Sequence, residues 1–112
     1  MENLYHYRAE VVSVYDGDTI TANIDLGFHV SLTKEKFRLY RINTPEVRGD
    51  EKEQGIISRD WLREKILGKK VTLVTYKDKK GKYGRWLADI WLDGVCLNDE
   101  LVKEGLAEYK EY

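Results

Sequence analysis

From Thr19 to Leu26 apolar and polar residues alternate without a break, Ile20, Ala22, Ile24 and Leu26 on one side and Thr19, Thr21, Asn23 and Asp25 on the other. A period of two predicts a half-buried strand. Val11-Val12-Ser13-Val14 leads into an Asp16-Gly17 turn just before it, so the two segments form a hairpin. Asp18 keeps step with Ile20 and Ala22, and the pleat therefore aims it toward the core side at the mouth of the strand. Gly27 starts a second turn, and residues 29–42 predict a third strand with Phe37 and Leu39 on one face and Arg38 and Tyr40 on the other. Pro45, the only proline, cannot donate to a ladder and ends the pairing near Asn43.

The period then changes. Between Gln54 and Leu67, Ile57, Trp61, Leu62 and Ile66 form a helical stripe, and Gly68 stands where a left-handed C-cap belongs. Residues 71–76 return to β-branched and aromatic character, Lys77 to Arg85 make a charged loop, and Trp86 to Trp91 form a strand turned by Asp93-Gly94. Asn98 is expected to cap a short helix that Gly105 stops. Three strands, a helix, two strands and a helix is the order of an OB-fold: a mainly β (α+β), five-stranded Greek-key barrel with a helix between strands 3 and 4 and a short C-terminal helix.

A chain of 112 residues, 42% apolar, fills one core, so residues 1–112 are expected to be a single domain whose site is built from that core's loops. The net charge of -1 excludes a broadly basic coat, and nucleic-acid contact would have to be local. Lys77, Lys79, Lys80, Lys82 and Arg85 supply such a patch, which otherwise reads as a solvated hairpin loop. The lone Cys96 excludes an intramolecular disulfide and a cysteine-cluster zinc site. No stretch approaches the ~18 apolar residues of a membrane span, and Met1 to Tyr5 lack the features of a signal peptide. The expectation is a soluble, cytoplasmic monomer.

Asp16-Gly17-Asp18-Thr19, Asn43-Thr44-Pro45-Glu46 and Lys82-Tyr83-Gly84-Arg85 each lie at a strand end, and together they bring acids, an amide and arginines to one site. Phosphodiester hydrolysis needs a hard cation on oxygen ligands, fixed positive charge on the phosphate oxygens and a base that orients water. Asp18, the Asn43 side-chain oxygen and the Thr44 carbonyl are candidate calcium ligands. Arg38 and Arg85 are candidate phosphate clamps, and Glu46 is left as the base. His6 and His29 stand apart from these segments and are read as ordinary surface or strand residues.

Taken together, DGDT, an arginine shortly before a TPE segment, KYGR, and an N-E-x-L-V-x-x-G-L-A-like tail from Asn98 to Ala107 resemble the staphylococcal-nuclease-like (thermonuclease) family over Val11 to about Ala107. The resemblance implies an OB-fold, calcium-dependent nuclease that cuts DNA and RNA, single-stranded or frayed, to leave 3′-phosphates. It makes Asp18 a calcium ligand, Thr44 a backbone ligand, Glu46 the water-orienting base, and Arg38 and Arg85 the clamps on the scissile phosphate. Lys82 and Tyr83 would hold the neighbouring phosphate, and Tyr109 or Tyr112 would take the place of base-stacking aromatics. The family pattern has aspartate where this chain has Asn43. Loss of that charge implies calcium binding at the weak end, on the order of 10⁻⁴ to 10⁻³ M. The family also commonly carries a further C-terminal helix, whereas this sequence stops at Tyr112. The alternative function is a non-catalytic OB-fold nucleic-acid-binding module with a degenerate metal site; a protein-interaction domain is a third.

Overall fold

Strong β-propensity in the first forty residues produces a meander of three antiparallel strands in the computed structural model, which describes residues 5–77 and 86–110: β1 (His6–Asp16), β2 (Thr19–Gly27) and β3 (Val30–Leu39). After a two-residue strand β4 (Ile42–Asn43) and a 3₁₀ turn at Gly49–Glu51, helix α1 spans Lys52–Ile66. Then come β5 (Lys70–Lys77), β6 (Trp86–Leu92), β7 (Val95–Cys96), α2 (Leu97–Lys103) and β8 (Glu108–Tyr109). The main sheet runs β3-β2-β1-β5-β6-β7, and a parallel β3–β6 pairing (Phe37↔Trp86, Arg38↔Leu87, Leu39↔Ala88) closes five of its strands into a barrel. This is the OB-fold expected from the sequence.

The inward residues of these strands, among them Val11, Val14, Ile20, Ala22, Leu39, Leu73 and Ile90, form one apolar cluster with Leu62 and Ile66 of α1 and Leu97 and Leu101 of α2. Gly68 adopts φ +75 and stops α1; its N–H donates to the Val11 carbonyl (2.8 Å), so the helix end is tied to β1. Arg63 fastens the same helix further along, donating to the Val14 carbonyl at 2.9 Å. Asp93 (φ 52) and Gly94 (φ 80) make the two-residue hairpin turn read from the sequence.

Three expectations need correction. The third strand does not run on to residue 42: β3 ends at Leu39, because the Tyr40 N–H donates to Ala88 and Arg41 then turns at φ 68, and β4 joins β8 in a separate two-stranded sheet. Asn98 is not the cap of α2. It lies within the helix, fully buried, donating through Nδ2 to the carbonyls of Tyr40 (2.9 Å) and Ala88 (3.0 Å) and accepting from the Ile90 N–H (2.9 Å). A buried amide in place of an apolar residue is explained by those partners, since an unbonded one costs about 1–3 kcal/mol. Ile57 faces outward, 57% exposed, and Gly55 and Ser58 are buried in its stead.

Candidate functional site

The β1–β2 turn, the end of β3 and the segment after β4 meet beside α1, and small residues let them do so. A Cβ on Gly17 would lie 2.8 Å from Thr44 Cγ2 and 3.0 Å from Ser58 Cβ. A Cβ on Gly55 would collide with the Glu46 carbonyl. Glycine at these two positions is therefore what allows the DGDT turn, the TPE segment and α1 to touch.

Within this junction Asp18 and Arg38 are buried, 7% and 8% exposed. Arg38 Nη2 donates to Asp18 Oδ2 at 3.3 Å and to Asn43 Oδ1 at 3.0 Å, while Nη1 donates to the carbonyls of Leu39 (3.2 Å) and Ile42 (3.0 Å). Asp18 Oδ2 also accepts the Thr44 N–H at 3.1 Å, and its Oδ1 accepts from Thr19 Oγ1 at 3.2 Å. Asp18, Arg38, Asn43 and Thr44, singled out separately in the sequence, thus form one connected set. Glu46 follows two residues later with its side chain exposed. Arg85, Lys82, Tyr83 and Tyr112 lie outside the described residues. Tyr109 is exposed, its hydroxyl donating to Asp99 Oδ1 at 3.0 Å.

Asp16 was overlooked as a site residue. It is buried, and its Oδ1 accepts the Asp18 N–H at 3.1 Å. Burial, then the hydrogen bond and charge of Asp18, push its carboxyl up to about 7. The signal was the DGDT spacing itself, which places a second carboxylate two residues from the first.

Do these residues suit a hard cation? Among the described residues no three His, Cys, Asp or Glu side chains gather as a metal cluster. The donor set is instead two carboxylates with an amide oxygen, all oxygen as calcium requires. A positive nitrogen, Arg38 Nη2, already sits between the Asp18 and Asn43 oxygens. Thr44 Oγ1 is buried with no hydrogen-bond partner among the described residues, at the position where a backbone ligand is expected. The residues fit.

Residues 36–112 match the family model described as staphylococcal nuclease homologue. The chain is 33% identical over 115 residues to a thermonuclease of Staphylococcus hyicus, the match covering 100% of this chain and 64% of that one. A thermonuclease of Staphylococcus intermedius is 35% identical over 105 residues, covering 91% of this chain and 59% of the relative. An uncharacterized protein of Methanocaldococcus jannaschii is 30% identical over 129 residues, covering 91% and 58%. The chain spans less than two thirds of the length of each of these relatives.

Proposed function

The chain belongs to the staphylococcal nuclease homologue family, and on that premise we propose that it is a calcium-dependent nuclease acting as a monomer on single-stranded or frayed DNA or RNA to leave 3′-phosphates. The observation that supports the reading is the pair of oxygens that Arg38 bridges: one guanidinium nitrogen is shared by Asp18 Oδ2 and Asn43 Oδ1, with the Thr44 N–H on the same Asp18 oxygen. Asp18, Asn43 Oδ1 and the Thr44 carbonyl would hold calcium, with the Asp16 carboxylate beside Asp18. When bound, the ion supplies positive charge to the phosphate oxygens. Arg85 would neutralise the phosphate further, joined by Arg38 once calcium takes the place of its Nη2 between Asp18 and Asn43, each through planar, two-donor contacts that lysine cannot reproduce. Glu46, exposed two residues after Thr44, orients and deprotonates the attacking water. Lys82 and Tyr83 hold the adjacent phosphate.

Plasmid nicking tests the proposal, with calcium, with chelator, and with Glu46→Gln. Cleavage that needs calcium and falls by roughly 10² or more in the glutamine variant is expected. Cleavage indifferent to chelator, or a variant as fast as the parent, would refute it. Asn43, an uncharged residue in the ligand set, favours a second reading as a nucleic-acid-binding module without catalysis. That reading predicts binding of oligonucleotides and no nicking at any calcium concentration.

A further inference from the structure

Two residues before Asn43 begins a charged network for which the proposed chemistry has no use. Arg41 is its centre. Its Nη2 donates to Asp89 Oδ1 at 3.1 Å, and its Nη1 donates to Asp99 Oδ1 at 3.2 Å. Asp89, buried on β6, also accepts from Asn98 Nδ2 (3.0 Å) and from the Tyr76 hydroxyl (3.4 Å), and the Tyr76 ring stacks on Tyr40 with centroids 4.3 Å apart. Asp99, on α2, accepts in addition from Tyr109. The guanidinium therefore ties the turn between β3 and β4 to a barrel strand and to a helix at once.

That turn needs holding. Arg41 sits at φ 68, a left-handed conformation that is strained for a residue with a Cβ. Its carbonyl accepts the Lys110 N–H at 2.7 Å, and Asn98 holds the preceding Tyr40 carbonyl. Arg38 binds the same turn from its other side, through the Leu39 and Ile42 carbonyls. Arg41 lies two residues from Asn43 and three from Thr44, so any relaxation of its backbone is passed directly to both. Strain that persists beside a candidate site, secured by two ion pairs, marks the turn as over-determined.

We infer that Arg41 is a positioning residue: through Asp89 and Asp99 it fixes the β3–β4 turn, and so sets Asn43 and Thr44 against Asp18. This rests on the nuclease reading for its consequence, and its geometry can be tested without it. The Thr44 amide, bonded to Asp18 Oδ2, reports the arrangement directly by hydrogen exchange in the metal-free chain. In Arg41→Met that amide should exchange at least tenfold faster while amides of β1 and β2 keep their rates. Arg41→Lys, which can reach one carboxylate, should restore part of the protection. At saturating calcium, Arg41→Met should lower kcat about tenfold or more with little change in KM for an oligonucleotide, and calorimetry should show weaker calcium binding.

Unchanged exchange at Thr44 in the methionine variant would overturn the anchoring, whatever the enzyme does. Faster exchange with parental kcat and calcium affinity would overturn the positioning role. Exchange that quickens equally throughout the barrel would reduce Arg41 to a contributor to global stability, which also overturns it. If the parent chain cuts no phosphodiester at all, the nuclease reading fails, and the Thr44 exchange and calcium titration still decide the inference.

Discussion

At Asn43 one amide oxygen stands in a set that otherwise holds carboxylate charge. Restoring a charge with Asn43→Asp should raise calcium affinity about tenfold or more, because ligand charge is a principal determinant of calcium affinity. Calorimetry on both forms checks this, and equal affinities would place residue 43 outside the ligand set. Asp16 gives a pH dependence. Its carboxyl titrates at about 7 in the fold against 3.8 ordinarily, so between those values the folded state holds more protons than the unfolded chain. Stability contributed at low pH is thus lost as pH rises from 3.8 through about 7. In chelator the Tm should be lower at pH 8 than at pH 5, and calcium at pH 8 should recover the difference; a Tm that does not fall in chelator would mean that Asp16 is not held protonated. The motif that contains Asp16 was legible in the sequence. How deeply it is buried was not, because Thr44 and Ser58, which pack against the neighbouring Gly17, lie far along the chain.

Among elements, those specified by neighbouring residues were read correctly. The β2 alternation as far as Ile24, the Gly68 stop of α1 and the Asp93-Gly94 turn each depend on chemistry within a few positions, whereas Leu26, expected on the buried side, is exposed. Those that depend on distant partners were misread. Arg41 turns left-handed without a glycine to announce it, since its anchors are on β6 and α2. Asn98 resembles a helix cap locally, and only the folded barrel brings it the carbonyls of Tyr40 and Ala88. The small residues of α1 mislead in the same way: Ile57 fits a helical stripe, but the face that packs includes Gly55, because the Glu46 backbone needs the space. Gly55→Ala poses two effects of opposite sign. Alanine gains about 1 kcal/mol in helix propensity, and overpacking against a backbone carbonyl costs roughly 1–3 kcal/mol. The collision should win, lowering stability in denaturant titrations and lowering kcat as Glu46 is displaced. A more stable, fully active alanine variant would show that the segment yields without consequence.

For the whole molecule, the candidate site lies where strand ends of the barrel converge. Asp18 comes from the β1–β2 turn, Arg38 from the end of β3 and Asn43 from β4, and no single element would bring these together. Among the described residues no helix is long and apolar enough to cross a membrane. The barrel is closed by three residue pairs between β3 and β6, from residue 37 to 39 on one side and 86 to 88 on the other. That seam has a kinetic meaning. The meander β1–β2–β3 joins segments close in sequence, whereas the seam must wait for a long loop to close before any of its contacts form. It should therefore be absent from the folding transition state, so that Leu39→Ala, at the one seam residue of β3 outside the β2–β3 register, leaves the refolding rate nearly unchanged and speeds unfolding, with a φ-value near zero, while Ala22→Gly on β2 slows refolding. Slower refolding in the Leu39 variant would show that closure comes early. If closure is late, the last step of folding is the one that brings Arg38 to its final place beside β6, and the chain acquires its chemistry only as the barrel shuts.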